Sequence, residues 1–128
     1  ALDMLDSLDI ALISIGAIDP SGPLEVGRNF FTAKQLQQVR KAGAVGEICM
    51  RYIDAHGAAV DSPLDDLTIG VTLDQLKAAR RRWAVVGGER KREALRAALT
   101  GGWVDVLVTD LETARHLAGV DGSAATSR

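Results

Sequence analysis

Two adjacent glycines followed three residues later by a lysine form the pattern in this chain best suited to holding a ligand. The stretch Trp83–Leu99 reads WAVVGGERKREALRAAL. An apolar strand, Trp83–Val86, runs into Gly87-Gly88, and a helix opens with Glu89-Arg90-Lys91-Arg92. Glycines at a strand-to-helix turn carry no Cβ, so a ligand could approach the backbone closely. The helix start behind them would offer unpaired N–H groups and partial positive charge, suited to a phosphate or carboxylate. Cations in that first turn oppose the helix dipole by about 0.3–1 kcal/mol each, and Glu89 and Glu93 offset part of this. Lys91 precedes Ala94, Leu95 and Ala98 at spacings of three, four and seven residues, on the inward stripe of its helix. An inward lysine needs an anionic partner or must snorkel to solvent. Lys91 thus either reaches a phosphate or sugar-acid group over the Gly-Gly turn or is a snorkelling surface lysine. The pattern is too short to choose between them.

Two further positions invite the same question. Gly16 closes the apolar run Asp9–Ile15, and ligands in open α/β sheets sit beyond the carboxyl ends of strands. It is either a point of close backbone approach or a turn glycine. Glu47 lies four residues before Arg51 on an alternating stretch, so the two share a face. They form either a cross-sheet ion pair or, for Glu47, an acceptor for ligand hydroxyls. Thr109 and Asp110 end another apolar strand, where they either touch a ligand or serve as caps of the helix that follows.

The elements that must position these residues follow from periodicity. At 128 residues, with 47% hydrophobic and 25% charged residues, the chain has the size and balance of one globular domain. A net charge of −2 gives no basic footprint for gripping nucleic acid directly. The single cysteine, Cys49, excludes an internal disulfide and fits a reducing compartment. Asp3, Asp6 and Asp9 stand where a signal peptide would carry basic residues, and no apolar run approaches the ~18 residues of a membrane span.

In chain order, residues 2–8 read as closing turns of a helix and residues 9–15 as a strand buried on both faces. Pro20, Gly22 and Pro23 mark an irregular loop. Residues 32–42 form a helix with a Thr32/Gln35 capping box and a Gly43 stop. Residues 45–53 read as one strand, with Ile48, Met50 and Tyr52 on one face and Glu47, Cys49 and Arg51 on the other; Ala58–Val60 return as a hairpin after a turn at Gly57. Residues 67–71 form a short strand, and Thr72 with Gln75 caps the next helix. Arg80–Arg82 read as a solvated helix end. After the Trp83–Leu99 unit, Gly101-Gly102 stop the helix and residues 104–108 form a buried strand. Thr109 then caps a last helix, with Glu112 in the box position and Leu111, Ala114, Leu117 and Ala118 inward. The βαβα order predicts that the strands at 83–86 and 104–108 are parallel, with a right-handed crossover. The tail from Gly119 is small and polar and is expected to be disordered.

Familiar catalytic patterns are absent from the sequence. His56 and His116 lie far apart, without zinc-site spacing. Ser14 falls inside an apolar strand rather than at a nucleophile elbow. Cys49 reads as a small core residue, and neither a full G-x-G-x-x-G nor a Walker A loop is present.

Three blocks in register, DIALISIGAIDP (9–20), AGAVGEICMRYIDAHG (42–57) and WAVVGGERKREALRAALTGGWVDVLVTDLETARHLAG (83–119), resemble the sugar-binding effector domain of the SorC-type (SorC/DeoR) bacterial transcriptional regulators. The resemblance covers almost all of residues 1–119. It implies an α/β fold with a Rossmann-like, mostly parallel sheet flanked by helices, related to sugar-phosphate isomerases, glucosamine-phosphate deaminases and CoA transferases, and carrying an antiparallel hairpin insertion. It implies that residues 1–118 are the C-terminal part of an effector domain and that the ligand is a phosphorylated sugar. By position, Gly16, Glu47, Gly87, Gly88 and Lys91 fall where family members line the pocket, with Lys91 toward an anionic or hydroxyl group and Glu47 toward sugar hydroxyls. No cofactor, metal or catalytic role is implied, and a cytoplasmic homo-oligomer is. Operator DNA would be reached through an N-terminal helix-turn-helix, which the family carries ahead of a Gly/Thr-rich phosphate loop. Neither lies in these 128 residues, so the chain is expected to be a piece of a longer protein. The basic residue common two places before the Ile69-Gly70 pair is also missing, Asp66 and Leu67 standing there instead. Two other readings of the same fold are an isomerase- or deaminase-like enzyme and a ligand-free oligomerisation module.

Overall fold

The computed structural model describes residues 2–19 and 31–120. The strands are β1 (Ile10–Ile13), β2 (Ile15–Gly16), β3 (Ala44–Ile48), β4 (Arg51–Asp54), β5 (Arg81–Val85) and β6 (Val106–Val108). The α-helices are α1 (Ala33–Lys41), α2 (Leu73–Ala78), α3 (Arg92–Thr100) and α4 (Leu111–Leu117), and 3-10 turns cover Leu2–Ser7, Asp65–Leu67 and Glu89–Lys91. The strands form two sheets, a parallel one in the order β1-β5-β6 and an antiparallel one in the order β2-β3-β4. The expected parallel pairing of the strands around α3 is present, with Trp83 opposite Val106 and Val85 opposite Val108.

Local signals account for the helices. Thr32/Gln35 and Thr72/Gln75 both close complete capping boxes on α1 and α2. Gly43, at φ +97°, ends the first of these turns in the left-handed region that glycine enters without strain. Helix α3 buries Ala94, Leu95, Ala97 and Ala98, and its small side chains let it lie close against the antiparallel sheet. Trp103 is sealed beneath it, with its indole N–H donating to the Gly57 carbonyl at 2.6 Å.

Several expectations are corrected. The run 9–15 is not one strand buried on both faces. It changes sheets at Ser14, and its burial alternates: Ala11 and Ile13 are buried, whereas Leu12 is 72% exposed. Among the described residues helices cover one face of the parallel sheet, so Leu12, Val85 and Val108 stand on the other face in solvent. Residues 106–108 are likewise not fully buried. The stretch 45–53 is a hairpin rather than a single strand: Cys49 (φ +49°) and Met50 (φ +68°) form a two-residue turn with both residues left-handed. Residues 67–71 make no strand, and Leu67 and Ile69 are exposed. Arg81 and Arg82 begin β5 instead of ending a helix, and Arg82 pairs with Asp105 at 2.9 Å. The cap of α4 is Asp110 rather than Thr109, its carboxylate accepting from the Thr113 N–H at 2.8 Å. That rotates the helix so that Thr113 is buried and Leu111 and Ala118 are exposed. Gly119 and Val120 close α4, Val120 N–H reaching the Arg115 carbonyl. Residues 121–128 of the expected tail, and the loop prolines and glycine at 20–23, lie outside the described residues.

Candidate functional site

A cavity of about 560 Å³ opens where the two sheets meet, beyond the carboxyl ends of β1 and β5. Four pieces of chain build it. The crossover from β1 to β2 brings Ser14 and Gly16, the hairpin brings Glu47 and Tyr52, the residues before and within α1 bring Phe31 and Leu36, and the turn after β5 brings Gly87 through Lys91. All five residues singled out in the sequence, Gly16, Glu47, Gly87, Gly88 and Lys91, therefore line one cavity.

Glu47 is held from two directions. Its Oε2 accepts the Met50 N–H across the hairpin turn at 2.5 Å. Its Oε1 lies against Gly16, in the space a Cβ would occupy there. Gly16 thus makes room for the Glu47 carboxylate, which is a different service from admitting a ligand to the backbone. Burial pushes the Glu47 carboxyl above its ordinary pKa, while the Met50 N–H and then the Lys91 charge pull it down without reversing the shift. The ion pair with Arg51 does not form. Arg51 is buried behind the site, where it donates to the carbonyls of Val71, Asp65 and Thr68 and to the Asp65 carboxylate.

The Gly-Gly turn is also tied inward. A Cβ on Gly87 would overlap the Asp110 carboxylate, and Gly88 adopts φ +95°. Gly88 N–H donates to Asp110 Oδ2 at 2.8 Å and to Thr113 Oγ1 at 3.2 Å, so it is not the free donor the sequence implied. The Thr113 N–H, then the Thr113 hydroxyl and the Gly88 N–H, hold the Asp110 carboxyl down at about 2. The turn continues as a 3-10 segment, Lys91 N–H bonding to the Gly88 carbonyl, and the α-helix proper starts only at Arg92. Glu89 and Arg90, first in that segment, have no preceding turn to accept their N–H groups. Lys91 is half-buried, on the cavity side of its helix.

Tyr52 escaped the sequence reading. A single strand would set it on the face opposite Glu47; the two-residue turn makes the two direct cross-strand partners on one face. No Asn-Gly or Asp-Gly pair announces that turn. The Tyr52 ring packs with Val39, Ala44, Val60 and Leu64. Burial first, then the charges of Glu47 and Asp65, push its phenol up to about 12, so it remains an O–H donor at neutral pH. Among the described residues no group of three His, Cys, Asp or Glu side chains could hold a metal ion.

Two outcomes follow from the Glu47 geometry. Gly16→Ala would displace the end of a flexible side chain rather than backbone. It should therefore lower any ligand affinity about tenfold or more by misplacing the carboxylate, with a small change in melting temperature; calorimetric titration beside a thermal melt checks both. The pH dependence has a definite sign. A carboxyl raised in the folded state binds its proton more tightly there than in the unfolded chain. Its contribution is present in full below 4.5, the ordinary value, and is lost as pH rises through the raised native value. Urea midpoints from pH 4 to 7 should show the wild type losing stability relative to Glu47→Gln as pH rises.

An α/β domain with a mostly apolar cavity at its strand ends, holding a half-buried carboxylate and a lysine, has the form of a small-molecule receptor domain. Residues 1–118 match the family model described as "Putative sugar-binding domain", and the chain belongs to that family. It is 37% identical to the deoxyribonucleoside regulator of Bacillus subtilis over 117 residues, 91% of this chain and 36% of that protein. The crystal structure of the full-length sorbitol operon regulator SorC from Klebsiella pneumoniae superposes with a TM-score of 0.80 at 30% identity, over 90% of this chain and 37% of that one. A DeoR family transcriptional regulator from Listeria monocytogenes gives a TM-score of 0.82 at 26% identity, over 91% and 47%. The chain spans about a third of the length of the curated relatives it matches. The fold and the SorC/DeoR resemblance read from the sequence agree with these likenesses. No helix among the described residues is long and apolar enough to cross a membrane.

Proposed function

We propose that this chain is the effector-sensing part of a sugar-responsive transcriptional regulator and that its cavity takes a phosphorylated sugar. The observation that carries this reading is the pairing of Glu47 and Lys91 in one cavity, where they share the wall with the apolar Ile15, Phe31 and Leu36 and with the charged Asp19, Glu89 and Arg90. A carboxylate accepts hydroxyl protons, an ammonium neutralises an anionic group, and an apolar wall packs the C–H face of a sugar. Gly16, Gly87 and Gly88 shape the pocket by holding Glu47 and the turn in place. The names of the relatives, all transcriptional regulators, favour binding over turnover, so Glu47 acts here as an acceptor and not as a catalytic base. Residues 1–118 form the receptor portion of a cytoplasmic homo-oligomer, and operator DNA is contacted by a separate part of the parent protein. The ligand acts by differential affinity for the DNA-binding and DNA-free states.

Differential scanning fluorimetry with pentose and hexose phosphates tests this. At a hundred times its Kd a ligand stabilises the folded state by about 2.7 kcal/mol, which raises the melting temperature by several degrees. A panel in which no sugar phosphate moves the melting temperature contradicts the assignment.

A further inference from the structure

Glu47 and Tyr52 face each other directly across the β3–β4 hairpin, and both line the cavity. Side chains opposed in this way start about 4.5–5.5 Å apart at Cβ and project from the same face of the sheet. The two are chemically opposite. The ionised carboxylate can only accept, with Oε2 already engaged by the Met50 N–H. Among the described residues no side-chain hydrogen bond engages the phenol O–H, on which only burial and the charges of Glu47 and Asp65 act. Its oxygen is not among the sealed side-chain atoms without a partner, which among the described residues are Arg92 Nε and Thr109 Oγ1. The ring lies in one buried cluster with Val39, Ala44, Val60 and Leu64, so the fold sets where the hydroxyl can reach.

We infer that Tyr52 is a specificity-determining contact, which with Glu47 reads two neighbouring oxygens of the ligand. This rests on the sugar-phosphate reading above and deepens it. A hydroxyl both donates and accepts. One ligand hydroxyl donates to the free Oε1 of Glu47, and the adjacent one accepts from Tyr52. The ligand class is therefore a sugar phosphate with vicinal hydroxyls. A deoxy analogue leaves either the carboxylate or the phenol unpaired in a largely desolvated site, and sites built to hydrogen-bond a hydroxyl reject analogues that lack it.

The test is calorimetric titration of wild type, Tyr52→Phe and Lys91→Ala with two matched pairs: ribose 5-phosphate and 2-deoxyribose 5-phosphate, glucose 6-phosphate and 2-deoxyglucose 6-phosphate. Phenylalanine keeps the packed ring and removes only the O–H. In at least one pair the wild type should favour the hydroxylated member by about tenfold or more, and Tyr52→Phe should lose most of that preference by weakening the hydroxylated member alone. The deoxy comparison on wild type is an independent readout that needs no variant to fold. Equal binding of both members of each pair by wild type, or Tyr52→Phe binding the hydroxylated sugar as tightly as wild type, overturns the inference. If Lys91→Ala then still weakens both members, the sugar-phosphate reading survives without it. If wild type binds none of the four, that reading falls and the inference with it.

Discussion

Lys91→Ala should weaken binding of a sugar phosphate by about 10- to 150-fold, the range for losing a charge-assisted hydrogen bond. The side chain is half-buried on the cavity wall, and among the described residues no carboxylate lies within ion-pair distance of it. Its charge still acts on Glu47, lowering a carboxyl that burial raises. The substitution therefore has two consequences at once. The ligand's anionic group loses its counter-charge, and Glu47 ionises less readily, which weakens the acceptor for ligand hydroxyls. Fold stability should change little, because no ion pair is broken. Calorimetric titration reads the affinity and a urea melt reads the stability. Unchanged affinity would show that the amine faces water rather than ligand.

The second large effect falls on the scaffold. Gly46 sits in β3 where α3 crosses it, and an added Cβ would overlap the Ala94 Cβ, with the Ala94 Cα at 2.9 Å and the Gly16 carbonyl oxygen at 3.0 Å. These are backbone and near-backbone atoms on two elements, so nothing flexible can yield. Gly46→Ala should cost about 3 kcal/mol, the upper end of overpacking penalties, and lower the melting temperature by about 10 °C in a chain of this size. The contrast with Gly16→Ala is informative, since there the obstacle is a flexible carboxylate and binding should suffer more than stability. A melt of both variants separates the glycine that lets the helix dock from the glycine that lets a functional side chain dock.

What the sequence disclosed and what it hid divide along physical lines. Thr32/Gln35 and Thr72/Gln75 are short-range signals whose geometry is complete within one turn, and both formed as read. The spacing of Ala94, Leu95 and Ala98 placed Lys91 inward, and it lines the cavity. The hairpin at Cys49-Met50 was hidden because it uses two non-glycine residues at positive φ, a conformation their types disfavour. The Glu47 carboxylate accepting the Met50 N–H helps hold it, and that long-lever contact has no sequence signature. Missing the turn inverted the face of Tyr52. The cap at Asp110 rather than Thr109 was hidden for a related reason: Asp110 also serves Gly88, 22 residues away, and tertiary bonding chose between two acceptable cap residues. The bare face carrying Leu12, Val85 and Val108 could not be read from an apolar run, which looks the same whether one face of a sheet is covered or two.

The central claim is that the Lys91 ammonium neutralises a negative charge on a sugar held against Glu47. The most direct measurement is a thermodynamic cycle: affinities of wild type and Lys91→Ala for the tightest-binding sugar phosphate and for the same sugar without its phosphate. The account predicts a wild-type preference for the phosphorylated form that shrinks about tenfold or more in Lys91→Ala. A preference of the same size in both proteins would contradict it.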